Sequence, residues 1–295
     1  MSIINSTVSS AVAIAERRSG KLGAEFLAGR PQAMIERAIM ALRSSTWIIV
    51  ASGFFEPVFY MLAFGLGLGG MIGFVNGVTD ASGNPVSYAA YIVPALLATS
   101  AMNGAIYDST WNVFFKMHFG KLYQGILATS MGTLDVALGE ISWALLRGLG
   151  YALAFMGVVT GMDLVLPESV LPGALIPSWW GLMAIPAAVL IAFGFASFGM
   201  AITSYMKSFQ QMNWINFFML PMFLFSGTFY PLSIYPEPIQ WMIQALPLWQ
   251  GIEMVRMLMF GNIGLGLLGH VLYFVVMIAG GLWFTTRRLR ALFLR

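Results

Sequence analysis

The 295-residue chain is 59% hydrophobic and only 9% charged, with a net charge of +3, a balance far more apolar than soluble domains carry. It has no cysteine and two histidines, which excludes disulfides, thiolate chemistry and cysteine-based metal sites and leaves His118 and His270, on separate segments, as ordinary residues rather than a ligand pair. No aromatic–basic stripe marks a nucleic-acid surface, and the basic excess fits anionic lipid on one membrane face.

In chain order, residues 1–15 are mildly apolar, but Glu16, Arg17 and Arg18 follow them instead of preceding them, the reverse of a signal peptide. Residues 31–46 predict an amphipathic helix. Met34, Ile35, Ala38, Ile39 and Leu42 recur at helical spacing, with Gln32, Glu36, Arg37 and Arg43 elsewhere. Such a helix either lies in the headgroup plane or is an ordinary juxtamembrane helix.

Six apolar segments follow, at 47–67, 88–108, 134–161, 179–205, 214–230 and 265–286, each in the length range of a transmembrane helix. The first carries Glu56 before Pro57. A carboxyl at membrane depth either faces a cavity or is buried against a neighbouring span. At its outer end, 65–70 matches GxGxxG, but with no strand before it the match reads as small-residue packing and a flexible exit at Gly67 rather than a dinucleotide loop. Residues 69–87 then form an outer loop. Residues 111–133, between the second and third spans, are too short for a domain and predict a helical turn able to sit in another protein's groove. The third span holds Glu140 and Arg147, two turns apart on one face, each expected to find a partner on another helix. Asp108 falls at the inner membrane surface.

After the fifth span, Pro231, Pro236, Pro238 and Pro247 punctuate a segment whose 239–246 and 248–260 stretches stay apolar. Proline suits a helix start, so 231–264 predicts two short helices re-entering the outer membrane half. Glu253 and Arg256 share a face of the second, either as a local ion pair or as a gate or substrate contact.

Arg17, Arg18, Lys21, Arg30, Arg37 and Arg43 precede the first span. Lys116 and Lys121 follow the second, Lys207 the fourth, and Arg287, Arg288, Arg290 and Arg295 the sixth. Six crossings place all of these on one side, cytoplasmic by the positive-inside rule. The expectation is an all-α polytopic membrane protein with both termini cytoplasmic, divided into an N-terminal segment 1–46, a transmembrane domain 47–286 and a basic tail 287–295. No catalytic constellation or metal cluster is expected, and no GxxxxGK[ST] loop is present.

Three stretches resemble the type-2 ABC exporter permeases, in the branch of nodulation-factor (lipo-oligosaccharide) and daunorubicin-type drug exporters. They are Leu127-Ala128-Thr129-Ser130-Met131 with Asp135 and Gly139-Glu140-Ile141-Ser142-Trp143-Ala144-Leu145-Leu146-Arg147-Gly148; residues 221–232, PMFLFSGTFYPL; and Leu246-Pro247-Leu248 with Glu253 and Arg256. The chain departs from the family at Ser130, where members commonly have proline, and in the weakly charged 116–121 stretch. The resemblance implies a bacterial inner-membrane half-transporter. It would dimerise with a second copy or a homologous permease and dock two ABC ATP-binding subunits, which bind the ATP and magnesium, leaving no cofactor in this chain. It further implies an interface helix at 31–46, a coupling helix at 121–130 (Lys121, Leu122, Tyr123, Gln124, Leu127) and an outer gate at 231–264 with Glu253 and Arg256. Glu140 and Arg147 are taken as structural intramembrane charges. Spans one, two and five would line a path for an amphipathic, lipid-like or drug-like substrate. Its candidate residues Phe54, Glu56, Phe59, Tyr60, Phe217 and Phe225 are chosen by position, not carried from the family. The competing expectation is an ATP-independent secondary transporter or channel, which would show inverted-repeat symmetry.

Overall fold

The computed structural model describes residues 32–43, 55–129, 131–167 and 173–293. Phe54, Ser130 and the segment before Gln32 lie outside them. The described chain is mostly helical: α1 (Gln32–Arg43), α2 (Phe55–Ile72), a β-hairpin of β1 (Phe74–Thr79) and β2 (Pro85–Ser87), α3 (Tyr88–His118), α4 (Leu122–Leu127), α5 (Thr133–Val165), α6 (Trp179–Tyr205), α7 (Phe209–Phe225), α8 (Glu237–Gln244), α9 (Pro247–Phe260) and α10 (Gly266–Phe293). Five of these, α2, α3, α5, α6 and α10, are long and apolar enough to cross a membrane. Helix α7 is equally apolar but has 17 residues.

Helix α3 is the centre of the molecule. Every side chain from Tyr88 to Ile106 is buried, enclosed by α5, α6 and α9, with α2 alongside. Small residues permit this closeness, as in membrane helix pairs generally. A Cβ on Gly104 would come within 3.1 Å of the Gly148 Cα and 2.7 Å of the Tyr151 ring, and one on Gly148 within 3.0 Å of the Ala192 methyl. Helix α10 packs on α6 in the most extensive contact of the fold, where a Cβ on Gly281 would strike the Ser197 backbone at 2.6 Å.

Four features differ from the sequence expectations. The fifth apolar segment, expected at 214–230, is helical over Phe209–Phe225 and leaves the helix at Ser226. The first span does not exit at Gly67. It runs on to Ile72 through a π-helical stretch, Met61–Leu68, in which the Met61 side chain covers Gly65, and it ends where Gly73 adopts φ +70°, a positive-φ conformation open to glycine. The expected outer loop contains a two-stranded antiparallel hairpin. Asp80 sets its turn by accepting from the Ser82 and Asn84 N–H groups at 2.9 and 2.8 Å. The second span continues past Asp108 to His118 through a π turn, Asp108–Asn112, because no glycine or proline interrupts it before Gly120.

Candidate functional site

At the end of the bundle that carries α1 and α4, one carboxylate joins four elements. Glu140 on α5 is 4% exposed. Its Oε2 accepts from Lys116 Nζ of α3 at 2.6 Å, and its Oε1 lies 3.4 Å from Arg37 Nη2 of α1. Tyr123 of α4, fully buried, sets its hydroxyl against the same carboxylate without a hydrogen bond of normal geometry. Burial, and then the Glu140 charge, push that hydroxyl well above the ordinary tyrosine range, so it stays protonated. Glu140 thus fixes the amphipathic helix α1, the end of α3 and the short helix α4 to α5. A carboxylate this deeply buried would be severely penalised if left unpaired, and here two cations face it.

Two turns along α5, Arg147 forms a second ion pair, with Asp108 Oδ1 at 2.8 Å, and its Nε donates to the Tyr151 hydroxyl at 3.0 Å. Asp108, expected at the inner membrane surface, is buried against α5, and Asn112 also donates to it. Arg37, Lys116 and Asp108 are the residues that sequence reasoning missed as partners. The available signal was charge matching at equal depth, because each pair is separated by 24 residues or more in sequence.

Helix α4 divides the expected coupling residues between two faces. Tyr123 and Leu127 turn inward and are buried, Leu122 is half-buried, and Lys121 and Gln124 are exposed with Gly125, Ala128 and Thr129. Lys121 opens the helix at φ +45°, a left-handed conformation uncommon for a residue with a side chain.

At the opposite end, beside the β-hairpin, Arg256 is buried on α9. Its Nη1 donates to Glu253 Oε2 at 2.9 Å, its Nη2 donates to the Gly227 carbonyl at 2.9 Å, and its guanidinium lies 4.2 Å over the Tyr91 ring of α3. The Tyr91 hydroxyl donates to the same carbonyl at 3.2 Å. The turn after α7, helix α9 and the start of α3 are therefore locked at one point. A cavity of about 360 Å³ opens beside it, walled by β1, Trp249, Glu253, Arg256 and Asn262. The hairpin is tied down there by Asn262 Nδ2 donating to the Thr79 carbonyl at 2.9 Å and Ala81 N–H to the Phe260 carbonyl at 2.9 Å.

The path candidates cluster on α2 and α7. Glu56 is exposed on α2, beside the Tyr60 hydroxyl and within electrostatic reach of Tyr107. Tyr60 packs on Phe223 with ring centroids 5.4 Å apart, and Phe64 on Phe229 at 4.8 Å. Phe59, Phe217 and Phe225 point outward. Helix α7 buries only Met212 and Phe223. Among the described residues no group of acidic, histidine or cysteine side chains is placed to hold a metal.

The ABC-2 type transporter family pattern matches residues 31–260 of this chain. The chain belongs to that family. Nodulation protein J of Sinorhizobium fredii is 29% identical over 240 residues, covering 81% of this chain and 84% of that protein. Nodulation protein J of Rhizobium leguminosarum bv. trifolii is 28% identical over 247 residues (81% and 85%), and that of Rhizobium meliloti 28% over 214 (70% and 72%). The protein is an ABC-2 permease of the nodulation-factor exporter branch, a multi-pass membrane protein and a transport component. The matched span of the permease runs from the α1 segment through α9, so both the Glu140 cluster and the Arg256 lock fall inside it.

Proposed function

We propose that this permease forms the membrane half of an exporter driven by a separate ABC ATPase, which binds the ATP and magnesium. The observation that carries the reading is the inner junction. A short helix with an exposed outer face, Lys121 and Gln124, is braced from behind by buried Tyr123 and Leu127, and the Glu140 ion pairs tie the same junction to α1, α3 and α5. A load applied to α4 from outside is passed to those helices instead of being absorbed locally. In this reading α4 is the coupling helix and α1 the interface helix. Both termini are cytoplasmic in a bacterial inner membrane. The 17-residue α7 completes six crossings, and α8 and α9 form the re-entrant outer gate closed by Arg256 and Glu253.

Glu56 and the aromatic faces of α2 and α7 supply the rest. A carboxylate exposed on a protomer at membrane depth is expensive against lipid. A second permease copy, or a homologous permease, opposite α2 and α7 gives it a polar path instead. Aromatic and methionine surfaces along that path adapt to amphipathic cargo, a class that includes the lipo-oligosaccharides of the exporter branch to which the chain belongs.

Affinity purification of the tagged full chain from gently solubilised native membranes, followed by mass spectrometry, tests the reading. A soluble subunit with a phosphate-binding loop, recovered in proportion to the permease, is the expected result. The permease recovered without such a subunit across several detergents would overturn the ATPase assignment in favour of an ATP-independent transporter.

A further inference from the structure

A second cavity lies away from both clusters, on the outside of the α6–α10 pair. It is a groove of about 350 Å³ lined by Phe198, Ala201, Ile202 and Tyr205 of α6 and by residues of α10 including Gly280 and Phe284. Its origin is local and steric. Gly281 brings the two helix backbones together at Ser197, while a Cβ on the adjacent Gly280 would meet nothing within 4 Å. The close approach and the open channel beside it therefore come from neighbouring glycines. The walls are aliphatic and aromatic along the helix direction, the shape and polarity of an extended hydrocarbon chain.

The groove has a charged end. Gly280, Phe284 and Arg288 lie four residues apart on α10, one row of the helix surface. Arg288 sits over the Tyr205 ring at 4.8 Å, and its Nε donates to the Ser204 carbonyl at 3.3 Å. That bond fixes the guanidinium plane at the groove mouth and leaves both Nη groups without a hydrogen bond among the described residues. Arg287, next to it, lies 5.4 Å over the Trp283 ring. Guanidinium forks beside interfacial tyrosine and tryptophan are the arrangement that meets phosphate at the headgroup level. Among the described residues no carboxylate pairs with either arginine, so none of them cancels the positive potential at this mouth.

We infer that this groove is a specific site for an anionic phospholipid, one acyl chain lying between α6 and α10 against Gly280 and the phosphate held by Arg288 with Arg287. A zwitterionic lipid offers the same chain but carries a compensating cation that faces the two guanidinium groups, so the site discriminates by headgroup charge. The same stretch of α10 buries Leu289 and touches α4, so an occupied groove braces the end of the fold that holds the inner junction. That functional consequence rests on the coupling reading above; the binding itself does not.

The test uses the full-length chain in nanodiscs of equal phosphatidylglycerol and phosphatidylcholine with identical acyl chains, the retained lipids being counted by native mass spectrometry after gentle extraction. Wild type is expected to retain phosphatidylglycerol in excess of the disc ratio. Arg288→Gln is expected to lower that preference about five-fold, the effect of one cation near an anionic headgroup, while total lipid retained stays the same. Arg288→Lys keeps most of the preference. Gly280→Leu, whose side chain enters open space, is expected to reduce retention of both lipids with the fold unchanged by circular dichroism. Retention in the disc ratio by wild type, or full preference in Arg288→Gln, would overturn the headgroup assignment. Unchanged retention in Gly280→Leu would overturn the groove.

Discussion

Glu140 shows how a membrane protein makes a costly group useful. Its carboxylate is almost fully buried, yet it is matched by Lys116 and Arg37 from two other elements. Removing the acid leaves Lys116, only 16% exposed in its side chain, as a buried cation without its partner. Glu140→Gln is therefore expected to cost about 3 kcal/mol, the lower end of the range for breaking a buried pair, because Arg37 is exposed enough to be solvated. The double variant Glu140→Gln/Lys116→Met should recover part of that loss. Thermal unfolding of the purified permease, followed by tryptophan emission, measures both, and a double variant no more stable than the single would refute the pairing. Individual charges were visible in the sequence: Glu140 and Arg147 stand out in an apolar run. Their partners were not, because pairing across 24, 39 and 103 residues is decided by how the helices pack, which no local pattern encodes.

At the scale of elements, α4 separates two jobs that a six-residue helix can hold on opposite faces. Tyr123→Ala removes a fully buried ring and is expected to cost about 3 kcal/mol of stability or more, lowering the unfolding temperature. Gln124→Glu alters only an exposed side chain. It is expected to leave unfolding unchanged while lowering co-purification of the ATPase roughly ten-fold, the effect of losing one central interface contact. An unfolding shift in Gln124→Glu, or undiminished ATPase recovery, would contradict this division. The elements themselves were largely legible. The fourth span was expected at 179–205 and is found there, and the prolines at 236, 238 and 247 mark the starts of α8 and α9. What failed to show were continuations and short strands. The Asp108–Asn112 stretch is polar enough to look like a surface, but buried packing against α6 carries it on as helix. β1 is six residues with Gly77 inside it, too weak a pattern to be read without its partner strand.

At the scale of the whole molecule, packing is lopsided. Helices α3, α5, α6, α9 and α10 form a dense body, whereas α2 touches mainly α3, and α7 leaves most of its aromatic side chains outward. A dimer through α2 and α7 would use that uncovered side. Because the chain has no cysteine, one introduced thiol reports cleanly. Phe217→Cys on α7 is expected to give a disulfide-linked dimer in oxidised native membranes, while Leu272→Cys on α10, equally exposed at 62% against 63%, stays monomeric on non-reducing gels. The reverse pattern would place the partner on the other side.

Helix α3 gives the molecule a property that neither of its ends has alone. It starts at the outer hairpin, supplies Tyr91 to the Arg256 lock, and ends by supplying Asp108 and Lys116 to the inner ion pairs. Its 31 residues make a rod about 46 Å long. It is encased along its first two-thirds and carries Pro94 and the Asp108–Asn112 π turn within it, and it reaches both clusters. Thermodynamic reciprocity then sets a symmetric bargain. If a cargo binds at the Arg256 lock and a partner at α4, as proposed above, whatever factor the cargo imposes on the partner's grip the partner must impose on the cargo, and a calorimetric titration from each end would give the same number.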